Sequence, residues 1–236
     1  MTDTIAIEGL EFGTLSRVDV RSTAIELFTA GSGAPLLFLH GMDGLEGASA
    51  LMAELAKSFT VYAASHPGFG GSGQLEGADR VDDLGYFTLD LMDQLGLGSP
   101  AIVGTSFGGW LAAEMLTKEP GRASQLILIP PLGIKTADRR EHYVADIFMM
   151  PRKELGERMQ VGAQGPLQNI MALPEAPLRR AMRNDEALSH FGWTPYMCNP
   201  KLAHRLHRIS CPTLVLWGAE DAIVMPRYRD LYARAL

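Results

Sequence analysis

Cysteine is scarce: Cys198 and Cys211 are the only two in 236 residues, too few for a disulfide framework. Both are expected to be free thiols without a catalytic task, in a reducing, cytoplasmic setting. Basic charge is short as well. Lys and Arg number 21 against 27 Asp and Glu, for a formal net charge of -6, which disfavours nucleic acid or an anionic membrane as partner. No apolar run approaches the ~18 residues that a membrane-spanning helix needs. The stretch Met1 to Ile5 has neither a basic region nor an apolar core, so no signal peptide is expected. His, Cys, Asp and Glu nowhere cluster at metal-ligand spacing, so neither a metal nor an organic cofactor is called for.

What is present suits a globular chain of one large α/β domain, or one domain with an insertion: 47% hydrophobic and 20% charged residues. Short β-prone runs at Ile5 to Ile7, Val18 to Val20 and Ala24 to Phe28 read as antiparallel strands at a sheet edge. Pro35 to Leu39 is apolar without alternation, the pattern of a strand covered on both faces, hence of a parallel sheet. It runs into His40-Gly41-Met42-Asp43-Gly44, and a helix is expected from about Glu46. The strand Thr60 to Ser65 then enters His66-Pro67-Gly68-Phe69-Gly70-Gly71-Ser72-Gly73, a loop too rich in glycine and proline for a regular element. A second amphipathic helix is expected over about residues 82–97, and a further buried strand over Gln125 to Ile129.

Strand-helix alternation stops there. From about Gly133 to Arg208 the sequence reads as helical or irregular, cut into short pieces by prolines at 151, 166, 174, 177, 195 and 200. Six of the twelve methionines lie here, with Tyr143, Phe148, Phe191, Trp193 and Tyr196. They fit either a small helical core or an adaptable apolar lining above a site. The pattern resumes with the strand Thr213 to Trp217, then Gly218-Ala219-Glu220-Asp221, and a helix from about Pro226.

The stretch with most chemical content is Ala101 to Trp110. A strand-forming run leads into Gly104-Thr105-Ser106-Phe107-Gly108, and helix-forming residues follow, so Ser106 falls at a strand-to-helix turn. Glycines two before and two after it remove Cβ atoms that would collide there. Such a turn lifts the hydroxyl above the sheet edge and aims the next N–H, that of Phe107, where an oxyanion would form. The five-residue pattern alone is weak in a glycine-rich chain; its setting gives it weight.

Four ordered signals, His40-Gly41, His66 to Ser72, Gly104 to Gly109 and Trp217 to Asp221, resemble the α/β-hydrolase superfamily, in particular small-molecule serine hydrolases with an inserted helical lid. The resemblance covers roughly residues 20–131 and 211–236. It implies an α/β fold with a mostly parallel sheet flanked by helices, a discontinuous core of residues 1–132 and 209–236, and a lid of residues 133–208. It also implies Ser106 as nucleophile, Met42 and Phe107 as backbone donors of an oxyanion hole, and Asp221 as the acid that orients a histidine. Glu220 is one position off that pattern. Dehalogenases and epoxide hydrolases of this fold use an aspartate nucleophile, which Ser106 disfavours.

One member of the triad has no match. In the family the histidine lies after an eighth strand, roughly 25 to 30 residues beyond the acid, whereas only residues 222–236 follow Asp221. The six histidines are at 40, 66, 142, 190, 204 and 207. His40 and His66 match family positions where histidine is a hydrogen-bonded turn residue. The other four belong to the lid or its exit, with a solvated surface as their expected place. The resemblance thus implies a chain truncated before the eighth strand and last helix, leaving Thr213 to Trp217 as an exposed apolar edge. The expected function is hydrolysis of a small, largely apolar ester, lactone, amide or activated carbon-carbon bond through an acyl-enzyme on Ser106. The alternatives are a catalytically dead binding module of the same fold, or an acyltransferase or perhydrolase.

Overall fold

Leu36, Leu37, Phe38 and Leu39 are all 2% exposed or less, as a strand sandwiched between helical layers requires. They belong to β3, in a computed structural model that describes residues 7, 9–135, 143–159 and 172–236. The strands of the main sheet are β1 (Thr14–Val20), β2 (Thr23–Ala30), β3 (Ala34–Leu39), β4 (Phe59–Ala64), β5 (Ala101–Thr105), β6 (Gln125–Ile129) and β9 (Thr213–Val215). Their order is β1-β2-β4-β3-β5-β6-β9. β1 and β2 pair antiparallel at one edge, and β4, β3, β5, β6 and β9 run parallel.

The pleat of β3 divides the core. Leu36 and Phe38 pack with Phe28, Val61, Val103 and Met52 on the side of α1 (Ser49–Leu55). Leu37 and Leu39 pack with Ile102, Leu84, Leu111 and Met115 on the side of α2 (Val81–Gln94) and α3 (Phe107–Lys118). Alternate residues thus serve opposite layers, which is why the run has no polar positions. At the other edge Leu214 of β9 and Leu216 just beyond it are 53% and 44% exposed.

Between β6 and β9 the chain forms β7 (Gly133–Ile134), α4 (Arg152–Met159), α5 (Glu175–Gly192) and β8 (Cys198–Asn199), and α6 (Arg227–Ala235) closes it. Two expectations need correction. The segment is not wholly helical or irregular, because β7 and β8 pair in parallel; at two residues each they are too short to show a period. Nor do its prolines leave only short pieces. α5 is 18 residues long, with Pro177 in its first turn, where a missing N–H costs no intrahelical bond. Its lower face belongs to the main core: Phe191 and Leu188 join Phe107 and Trp110, and Met197, just beyond the helix, joins them.

The two turn histidines tie neighbouring loops together. His40 and His66 are buried and stacked with ring centroids 3.8 Å apart. The His66 N–H donates to His40 Nε2 at 3.0 Å, His40 Nδ1–H donates to the Gly41 carbonyl at 2.7 Å, and His66 Nε2–H to the His40 carbonyl at 3.1 Å. Burial pushes the His40 imidazole down to about 4. It also holds His66 well below the usual value, with His40 beside it acting the same way. Both rings are therefore neutral in the folded state.

Two outcomes test this packing. A Cβ on Gly108 would lie 2.1 Å from the Leu39 carbonyl oxygen, whereas one on Gly98 meets nothing within 4 Å. Gly108→Ala is therefore expected to cost about 3 kcal/mol or more, and Gly98→Ala less than about 0.5 kcal/mol, in urea unfolding. The histidines bind protons in the unfolded chain below their ordinary value of 6.5 but not in the folded one. Stability should hold above pH 6.5 and fall as pH drops toward 4, by up to about 1.4 kcal/mol per pH unit for each ring. Unfolding free energies that stay level from pH 7 to 5 would contradict neutral, buried rings.

Candidate active site

Ser106 joins β5 to α3 with φ 51° and ψ -113°, a region that non-glycine residues enter only where their surroundings compel it. Its N–H donates to the Ile129 carbonyl at 2.8 Å, and its own carbonyl accepts from Gly109, Trp110 and Leu132 at 3.1, 3.2 and 3.1 Å. The flanking glycines are needed for contact: a Cβ on Gly104 would sit 2.7 Å from the Gly108 carbonyl oxygen. The Phe107 side chain is fully buried. It lies among Phe69, His66, Trp110 and Phe191, at centroid distances of 5.4, 5.9, 6.0 and 6.5 Å. That packing fixes the first turn of α3, at whose N-terminus the Phe107 N–H lies free of the helix's own ladder.

The turn after β3 passes directly over the serine. A Cβ on Gly41 would come 3.3 Å from Ser106 Cβ, and the Gly44 N–H closes the turn on the Gly41 carbonyl at 3.3 Å. Met42 sits within this turn, half-buried. Asp221 follows β9, also half-buried, and its Oδ1 accepts from the N–H groups of Ile223 and Val224 at 2.9 and 2.7 Å. These bonds fix the carboxylate through Oδ1. The loop is fastened from both sides, by Trp217 Nε1–H on the Val224 carbonyl at 2.8 Å and by the Ala145 N–H on the Ile223 carbonyl at 2.8 Å.

Ser106, Met42 and Asp221 line one cavity of about 800 Å³, together with Leu51 from α1 and Arg158 and Met159 from α4. Phe107 shapes the site from beneath without lining it. Glu220 also reaches the cavity and is exposed. The α1 and α4 contributions were not legible beforehand, since nothing in either helix marks a residue for a cavity rather than a surface. Of the methionines described between β6 and β9, only Met159 lines this space; Met197 is core, and Met149 and Met182 are exposed. Among the described residues, the sulfur-rich composition of this segment therefore serves chiefly packing and surface.

Among the described residues no histidine lines the cavity. His40 and His66 have ring nitrogens engaged in the bonds above. His190 Nε2 is hydrogen-bonded to the Ala78 carbonyl at 2.8 Å, and His204 and His207 are exposed. His142 lies outside the described residues. Among the described residues there is also no group of His, Cys, Asp and Glu placed to hold a metal, and no helix long and apolar enough to cross a membrane.

Residues 34–236 match the model of the alpha/beta hydrolase fold family. The chain is 33% identical over 225 residues to the 2-hydroxymuconate semialdehyde hydrolase of Pseudomonas sp. (strain CF600), a match covering 84% of this chain and 74% of that one. It is 27% identical over 215 residues to the dihydrolipoyllysine-residue acetyltransferase component of the acetoin cleaving system of Cupriavidus necator, covering 87% of this chain and 57% of that one. In three dimensions it is similar to a bacterial membrane phospholipase A, with a TM-score of 0.75 at 23% identity over 97% of this chain and 77% of that one. With the parallel sheet, the kinked turn at Ser106 and a family match over most of its length, the chain belongs to the α/β-hydrolase fold family.

Proposed function

We propose that this protein is a serine hydrolase that cleaves a small, largely apolar ester, or a lactone, amide or activated carbon-carbon bond, through an acyl-enzyme on Ser106. The observation that carries the reading is the kink itself: a hydroxyl on a backbone at φ 51°, partly accessible, facing a cavity shared with Met42 and Asp221. Oγ attacks the substrate carbonyl carbon, and the N–H groups of Met42 and Phe107 receive the oxyanion. The leaving group departs with a proton as the carbonyl re-forms, and water then attacks the acyl-enzyme to release the acid and restore the serine. Asp221 is placed to orient an imidazole that shuttles these protons, a group that no described residue supplies. Leu51, Ile129, Met159, Ile223 and Val224 give the cavity its apolar walls. The named relatives support hydrolysis broadly, and the acetyltransferase component supports a variant in which another acceptor replaces water.

Since no described histidine reaches the serine, added imidazole is the informative variable. A fluorophosphonate probe should place one phosphonyl group on Ser106 and none on Ser106→Ala, as read by intact mass and peptide mapping. Imidazole at tens of millimolar should speed labelling by about 10²-fold, the scale of a general base. Wild-type chain that stays unlabelled with imidazole would favour a binding module of this fold over an enzyme.

A further inference from the structure

Glu26 is a carboxylate in the middle of an apolar strand, 1% exposed on β2, and a charge so placed requires a partner. That partner comes from the lid. Arg180 of α5 donates Nη1 to Glu26 Oε2 at 2.9 Å and Nη2 to Oε1 at 2.7 Å, and its Nε donates to Glu46 Oε1. Ser65 Oγ and the Gly71 N–H add bonds to Glu26 at 2.7 and 3.3 Å. Burial pushes the Glu26 carboxyl up, and Arg180, Ser65 and Gly71 together outweigh it, so it titrates below the usual carboxylate range.

The same face of α5 carries Arg183 and Asn184, three and four residues on. Arg183 Nη2 donates to the Ser72 carbonyl at 2.5 Å, and Asn184 Oδ1 accepts from the Gly70 N–H at 2.9 Å. Asn184 is 4% exposed and lies against Gly44, where a Cβ would come 2.6 Å from its Nδ2 and 3.0 Å from Glu46 Oε2. Gly44 is the closing residue of the turn that holds Met42, and Glu46 begins the helical turn that follows it. One helix face thus grips the far end of the turn that crosses Ser106.

We infer that Arg180 is a positioning residue for the oxyanion hole: through Glu46, with Asn184 beside it, it holds the Gly41 to Gly44 turn at the height where the Met42 N–H meets the oxyanion. The inference rests on the reading of Ser106 as nucleophile. Only the planar fork of an arginine can bond two carboxylates at this angle; a lysine keeps the charge but cannot make all three bonds. The lid is then part of the catalytic geometry and not merely a cover.

The test is the saturation kinetics of fluorophosphonate labelling of Ser106 with imidazole present, because the phosphoryl oxygen occupies the place of the oxyanion. Arg180→Lys and Glu46→Gln should each lower the limiting rate by about 10-fold to 10²-fold, short of the loss from deleting a donor outright, with the half-saturating concentration unchanged. Arg179→Gln, on the exposed face of the same helix, should leave both constants as they are. Glu46 is half-buried and far less enclosed than Glu26, so its variant decides the matter if Arg180→Lys does not fold. Limiting rates equal to wild type in the folded variants overturn the inference while leaving Ser106 as the nucleophile. A weaker half-saturation at unchanged limiting rate also overturns it, since that marks a contact with the probe. Failure of the wild type to label overturns the nucleophile reading and this inference with it.

Discussion

The close approach of α3 to the end of β3 governs the geometry of the whole site. Gly108 lies so near the Leu39 and His40 carbonyls that no side chain fits between them, and this contact sets how sharply the chain turns at Ser106. Holding a serine at φ 51° costs of the order of 1–3 kcal/mol. Four backbone hydrogen bonds converge on that residue, each worth roughly 1 kcal/mol net, and the buried Phe107 ring anchors the next position. Strain and compensation are therefore comparable in size. The kink persists because its neighbours make every alternative worse.

Electrostatics around this contact separates two uses of histidine. His40 and His66 lie close to the site in sequence and in space, yet burial keeps both neutral, outweighing the hydrogen bonds that would favour the charged rings. A general base must gain a proton near neutral pH, and rings held this far below their usual range would do so poorly. Their task is to join the two loops that follow β3 and β4, one of which crosses the serine. Asp221 shows the complementary pattern: two N–H donors fix one oxygen, and the carboxylate stays partly accessible beside a roomy cavity. In the function proposed above, that placement lets it direct an imidazole, which no described residue lining the cavity provides.

Most of the central sheet was legible because burial on both faces leaves a plain mark. Pro35 to Leu39 and Gln125 to Ile129 contain too little polarity for anything else, and the glycine spacing around Ser106 announced its turn. The region between β6 and β9 was harder to read for physical reasons. The two residues of β7 and of β8 find each other across a long separation, which no local pattern encodes. Pro177 looked like a break but occupies the one part of a helix that tolerates it. Glu26 was a missed signal. A carboxylate between Ile25 and Leu27, in a strand bound for the interior, demanded a cation, though nothing in the sequence pointed to Arg180 at a distance of 154 residues.

That missed pair changes what the segment between β6 and β9 is physically. A cover held by apolar contacts alone could slide or lift with little consequence for the layer below, because such contacts are non-directional. Directional bonds from Arg180, Arg183 and Asn184 to two separate loops leave α5 little freedom to shift without disturbing both. A buried pair of this kind adds little net stability over apolar packing. What it can supply is orientation, because guanidinium and carboxylate meet well only in one plane. The cost of burying Glu26 is best understood as the means by which a helix 18 residues long is held in register with a turn of four.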